Sequence, residues 1–260
     1  MINNWFVTGD KHGNFNQILQ NEVTQNPENG IIILGDAGLN YYLNQRDYAL
    51  KKKIMDESQC TWYILRGNHE ARPQSIQGIK MIYDKDGVDG VVWQEPHFDR
   101  INYFLDYGEY WIDRHLTLVI GGAYSVDKYY RLNKAGRTEV NNNPKATGWF
   151  ADEQLSRKEM DSVLYMYKYM HYDFIFTHTC PLAWEPTDLF LNGLDQSTVD
   201  KTMEKWLDKV EDQIGYDCWL FGHYHADRVE RNFVHQLYND VLNLEEIYSY
   251  WDNFRKSIQS

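Results

Sequence analysis

Six short runs of apolar, β-prone residues punctuate this chain: Trp5 to Thr8, Ile31 to Leu34, Trp62 to Leu65, Leu116 to Ile120, Phe174 to Phe176 and Trp219 to Phe221. They are short and almost unbroken, and their Ile, Val, Phe and Trp content suits strands covered on both faces. Between them the apolar spacing becomes helical. Phe15, Ile18, Leu19 and Val23 form one face. Met160, Val163, Leu164 and Tyr167 form a second, behind a capping-like Asp152-Glu153. Val199, Met203, Trp206, Leu207, Val210 and Ile214 form the clearest, with polar residues between. Strand, loop and helix in alternation predict βα units and a parallel sheet. The polar stretch Asn133 to Gly148 predicts a long mobile loop. Phe233 to Ile258 predicts a short strand, Phe233 to Tyr238, and a helical tail. No repeat, low-complexity tract or Pro/Gly-rich linker divides the chain, so residues 1–260 read as one α/β domain.

Where the apolar runs stop, polar motifs begin. Gly9-Asp10-Lys11-His12-Gly13-Asn14 follows the first, Gly35-Asp36-Ala37-Gly38 the second and Arg66-Gly67-Asn68-His69-Glu70 the third. Thr177-His178-Thr179 and Gly222-His223-Tyr224-His225 close the last two. These segments offer two Asp, Asn68 and five of the nine His, nitrogen and oxygen donors suited to a pair of divalent cations. Gly9, Gly35, Gly67 and Gly222 each precede the first donor of their motif and permit close backbone approach. Open α/β sheets place their sites at the carboxyl ends of strands, where these motifs fall. In extended backbone, residues two apart share a face, so Asp10 with His12 and His223 with His225 are expected to project as pairs. Taken singly, Gly-Asp and Asn are ordinary turn residues, and His178 reads as a core-edge histidine. The joint pattern is what points to metal. His97, His115, His171 and His235 lie outside it and read as structural or exposed.

The formal net charge of -12 opposes non-specific binding to nucleic acid or anionic membranes. It leaves phosphorylated substrates open, because bound cations reverse the local field. Cys60, Cys180 and Cys218 are far apart and read as buried reduced thiols, against a disulfide framework or an all-Cys zinc site. No charged-then-apolar leader and no run of membrane-spanning length is present, which predicts a cytoplasmic protein with no membrane partner. Neither a phosphate-binding glycine loop nor a nucleophile elbow occurs.

In order, Asp-x-His, Gly-Asp, Gly-Asn-His-Glu, His and Gly-His-x-His resemble the motif set of the calcineurin-like metallophosphoesterase superfamily, spanning Asp10 to His225. Arg66 to Glu70 is similar to the matching segment of phosphoprotein phosphatases and symmetrical diadenosine-tetraphosphate hydrolases. The resemblance implies a four-layer αββα sandwich, two mixed β-sheets flanked by helices. It implies one metal on Asp10, His12 and His225, a second on Asn68, His178 and His223, and Asp36 as the bridge. The implied reaction is hydrolysis of phosphomonoester or phosphodiester bonds by a hydroxide shared between the cations. His69 would protonate the leaving oxygen or stabilise the transition state. Manganese is the first choice of metal; Fe, Zn, Co and Ni accept the same donors.

The second motif departs from the phosphatase pattern. That branch continues with an Asp that orients the histidine and an Arg that grips phosphate; here Ala37, Gly38, Leu39, Asn40 and Tyr41 follow Asp36. Arg131, at the end of Gly121 to Arg131, is the replacement candidate, since a guanidinium binds phosphate bidentately. The Gly-Gly-Ala-Tyr-Ser-Val-Asp-Lys stretch there also resembles uncharacterised bacterial and phage members. Asn68 and Arg66 complete the candidate substrate contacts. Lys128 and Arg228 are lesser ones, and Glu70 reads as loop support. The expected substrate is a small phosphorylated compound or nucleotide. A metal-dependent nuclease is disfavoured by the acidic charge, and a non-catalytic metal scaffold by the complete donor set plus His69.

Overall fold

The six apolar runs are strands, and they fall into two parallel blocks. The computed structural model describes residues 2–190, 196–231 and 233–259. The first block is built on β1 (Asn4–Thr8), β2 (Asn29–Leu34) and β3 (Thr61–Leu65), which pair in parallel. Between the blocks lie β4 (Lys80–Lys85), β5 (Val88–Gln94), β6 (Ile101–Phe104) and β7 (Tyr107–Ile112). The second block is built on β8 (His115–Ile120), β9 (His171–Thr177) and β10 (Gly215–Phe221), again in parallel. Three short strands finish the chain: β11 (Arg228–Arg231), β12 (Val234–Gln236) and β13 (Leu242–Asn243). The helices are α1 (Asn16–Leu19), α2 (Gln45–Glu57), α3 (Lys128–Lys134), α4 (Pro144–Thr147), α5 (Arg157–Tyr167), α6 (Thr202–Gln213) and α7 (Leu244–Gln259).

Alternation along each strand explains the layers, because successive side chains point to opposite faces. Val7, Ile32, Leu34, Tyr63 and Leu65 of the first block meet Val119, Phe174, Phe176, Cys218 and Leu220 of the second in a shared core. Ile31, Ile33, Trp62 and Ile64 face outward onto Phe15, Ile18, Leu19 and Ile54, in or beside α1 and α2. Leu118, Ile120, Ile175, Trp219 and Phe221 face outward onto α5 and α6 through Met160, Val163, Met203, Trp206, Leu207 and Val210. Both faces of each block are therefore covered, which is why the runs are apolar at nearly every position. The result is the α/β sandwich of four layers, αββα.

The parallel reading covers only part of the sheet. Four antiparallel pairings, β4 with β5, β5 with β6, β5 with β7 and β7 with β8, lie between the blocks. The β5–β7 pairing (Val88 opposite Ile112, Asp89 opposite Trp111) joins the blocks, so the two mixed sheets are arms of one curled sheet. Other details also differ from expectation. Val199 lies in a turn ahead of α6. α5 is capped by Ser156, whose side chain and that of Glu159 form a capping box, so Asp152-Glu153 is not its start. The 133–148 stretch is not one long loop: α3 ends within it at Lys134, and Asn143 caps α4. Cys60, Cys180 and Cys218 are buried and joined in no disulfide. Among the described residues no helix is long and apolar enough to cross a membrane.

Candidate metal centre and active site

Two face-to-face parallel blocks bring the carboxyl ends of β1, β2, β3, β9 and β10 together, and the five motifs with them. Backbone bonds tie loop to loop. The amides of Lys11 and His12 both donate to the Asp36 carbonyl, and Gly222 donates to that of His178. Glycine leaves the room that donors on neighbouring loops need. A Cβ on Gly35 (φ +94°) would lie 2.0 Å from His178 Nδ1, and one on Gly67 2.0 Å from Asp36 Oδ1.

One donor group consists of Asp10, His12 and His225. Asp10 Oδ2 lies 3.3 Å from His225 Nε2 and 3.7 Å from His12 Nε2, and the two imidazole nitrogens are 2.8 Å apart. That carboxylate oxygen is buried and makes no well-formed hydrogen bond. A second group consists of Asp10, Asp36 and His178. His178 Nδ1 donates to the Leu34 carbonyl at 2.8 Å, which aims Nε2 at Asn68 Oδ1 (2.9 Å) and Asp36 Oδ2 (3.6 Å). Asn68 is itself oriented, because its Nδ2 donates to Ser125 Oγ at 2.9 Å. Asp36 Oδ2 stands between the groups, 3.9 Å from His12 Nδ1. His223 falls outside both triads. Its ring packs 4.9 Å from that of His178, measured between centroids, and it lines the same cavity.

The electrostatics are those of anionic oxygens crowded around histidines. Burial raises the Asp36 and Asp10 carboxyls, but neighbouring histidines, His178 first, outweigh it and bring both below the usual range. Burial opposes charge on His178, yet Asp36 and Asp10 lift its pKa to about 9. Burial, then the charge on His178, drives His223 down to about 3, a neutral ring. An Asp10 Oδ2 that lacks a well-formed hydrogen bond, the Nε2 that Leu34 leaves to His178 and the mixed N/O set all fit divalent cations.

Asp10 and His12 meet as the expected pair, but not through extended backbone, and His223 and His225 do not share a donor group. His12 (φ 46°), Asp36 (φ 47°), His223 (φ 72°) and His225 (φ 53°) are all left-handed, a conformation uncommon outside glycine. His12 turns back toward Asp10, whereas His223 and His225 diverge, one to His178 and the other to Asp10. Such strain concentrates where side chains must be aimed.

His69 lines the cavity beside these donors. Its amide donates to Asp36 Oδ1 at 2.8 Å, its Nε2 lies 4.0 Å from Asp36 Oδ2, and its buried Nδ1 has no hydrogen-bond partner. No carboxylate orients it through that nitrogen. Arg131, on α3, also lines the cavity. Asp127 accepts from Nε at 2.6 Å, and Nη1 donates to the Tyr41 hydroxyl and, at 3.1 Å, to the Gly148 carbonyl. Tyr41 thus grips Arg131, and its ring lies 6.4 Å from that of His69. The motif reading missed it, because a tyrosine after a turn carries no signal of its own.

Arg66, a candidate substrate contact by sequence, is placed differently from Arg131. Only 2% exposed, it is outside the cavity wall, bonded through Nε to Asp106 and through Nη1 to the Glu153 carbonyl at 2.8 Å. It braces the β3 loop. Arg66→Ala takes one of two arginines from buried Asp106, which keeps Arg72 and Gln74, so a loss of about 1.5–3 kcal/mol is expected. Urea denaturation checks it; an unmoved midpoint would deny the bracing role. Glu70 is a brace too, its Oε1 accepting from the amides of Gly38 and Leu39. Lys128 pairs with Glu139 at 2.7 Å and Arg228 with Asp188 at 2.8 Å. His97 is exposed, His171 pairs with Asp217 and His115 with Glu245, all outside the cavity wall.

The cavity holds about 1220 Å³. His12, Asp36, Asn68, His69, His223 and His225 form part of its wall; Tyr41, Tyr124, Arg131, Phe190, Glu204 and Tyr224 are among the rest. The family described as calcineurin-like phosphoesterase matches residues 6–227. Among solved structures, the chain is similar to the phosphopantetheinyl hydrolase from Mycobacterium tuberculosis. The two are 12% identical, the match covers 90% of this chain and 88% of that one, and the TM-score is 0.45. No curated protein matches.

Proposed function

This chain belongs to the calcineurin-like phosphoesterases, and from that premise we propose that it hydrolyses small phosphomonoesters or phosphodiesters with two divalent cations. Asp10, His12 and His225 would hold one cation, Asn68, His178 and His223 the other, and Asp36 would touch both. Cations held there acidify water and offset charge on phosphoryl oxygens. The observation that carries this reading is the place of Asp36 Oδ2, within 4 Å of a histidine from each set, beside an Asp10 Oδ2 that lacks a well-formed hydrogen bond.

The chain's own groups do the rest. Ser125 fixes the Asn68 amide so that its oxygen faces His178. Tyr41 and Asp127 hold the Arg131 guanidinium at the cavity wall, where it would neutralise a phosphoryl oxygen. His69 would hand a proton to the departing oxygen. Manganese is the metal proposed first. The test is to load the protein with Mn, count bound metal, and assay p-nitrophenyl phosphate and bis-p-nitrophenyl phosphate. Hydrolysis of at least one is expected. Two bound metals with neither ester cleaved would leave a scaffold, not an enzyme.

A further inference from the structure

The cavity exceeds the roughly 300–1,000 Å³ of pockets that enclose drug-sized ligands, so a phosphoryl group alone leaves most of it unfilled. One corner is tied covalently to the metal-ligand loops. Thr179 follows His178, and Tyr224 stands between His223 and His225. The Tyr224 hydroxyl and Thr179 Oγ1 are 3.1 Å apart, and Thr179 Oγ1 donates onward to Glu204 Oε1 at 3.1 Å. Glu204 is 3% exposed and part of the cavity wall, yet its second oxygen, Oε2, has no hydrogen-bond partner. A buried acceptor left unpaired costs about 1–3 kcal/mol, more when charged, and calls for a ligand donor or another specific partner.

The neighbours narrow what that donor is. Lys201 Nζ already pairs with Glu185 and lies 5.3 Å over the Phe190 ring. A ligand ammonium would therefore meet a resident cation. The Phe190 and Tyr224 rings stack on each other, centroids 6.3 Å apart, and give the corner one apolar wall. A neutral, planar group with N–H donors on its edge suits both features.

We propose that this corner is a nucleobase subsite, with Glu204 Oε2 accepting from the N–H edge of the base and the stacked Phe190–Tyr224 pair as the apolar wall beside it. The substrate would then be a nucleotide or nucleotide ester, its phosphoryl end placed as the phosphoesterase reading places it; on that reading the proposal rests. Nucleosides, which lack phosphate, separate the two. Guanosine, cytidine and adenosine are titrated calorimetrically into the Mn-loaded wild-type protein, Glu204→Ala and Glu204→Gln, with choline as the cationic control. At least one nucleoside with an N–H edge is expected to bind and to compete with p-nitrophenyl phosphate. Glu204→Ala should weaken binding roughly tenfold or more. Phe190→Ala serves the same purpose should Glu204→Ala not fold. If no nucleoside binds while p-nitrophenyl phosphate is hydrolysed, the subsite is refuted and the phosphoesterase stands. Choline binding that depends on Glu204, without nucleoside binding, also refutes it. Glu204-dependent nucleoside binding by a protein that cleaves neither ester upholds the subsite and sinks the hydrolase.

Discussion

Asp36→Asn is expected to release at least one cation and to lower the hydrolysis rate by roughly 10³-fold or more, the equivalent of several kcal/mol of transition-state stabilisation. Asparagine is the informative replacement. It tolerates the left-handed backbone seen at Asp36, and its side-chain oxygen can still accept from the His69 amide. The Asp36 carbonyl that anchors the Lys11 and His12 amides is untouched. The fold around the motif should therefore survive, and what disappears is the negative charge between His12 and His178. Metal content after dialysis, by plasma mass spectrometry, and the rate on p-nitrophenyl phosphate should fall together. Full occupancy of both metals in a folded Asp36→Asn protein would remove the bridge assignment.

The donors were legible in the sequence because each stands at the end of a run that could only be a buried strand. β2 is buried at all six of its positions, so its apolarity is unbroken and its end is marked by Gly35-Asp36. β4 is the opposite case. It is held by pairing with β5 and buries none of its residues, and its Lys and Asp residues hide any period. That hairpin, and with it the joining of the two sheets, could not be read locally. Aim was as hidden as topology. The left-handed turns at His12, His223 and His225 decide which donors meet; alternation along an extended chain predicts the Asp10–His12 pair but not the parting of His223 from His225. Arg66 and Arg131 both lie near motif glycines, and only burial separates them: one is enclosed against Asp106, the other reaches the cavity wall beside Tyr41. Glu204 lies in the first turn of an amphipathic helix, where an acidic residue needs no further explanation until its unpaired oxygen is seen.

His69→Ala is expected to keep the metals and lose about 10²–10⁴-fold in kcat, the usual worth of a positioned proton donor. The hydrogen bond that His69 makes with the donor set runs from its backbone amide to Asp36 Oδ1, which alanine retains. Its ring belongs to neither donor triad. With Nδ1 unpartnered, the ring is placed by packing between Tyr41 and His12, their centroids 6.4 and 5.6 Å away. A proton donor matters most when the leaving oxygen cannot depart as an anion. The loss should therefore be larger on an alkyl phosphate than on p-nitrophenyl phosphate, whose leaving group is stable unprotonated. Equal losses on the two esters would make His69 an electrostatic support and not a proton donor. A His69→Ala protein that also loses metal would make it a ligand, and would shift the second cation site toward the Tyr41 side of the cavity.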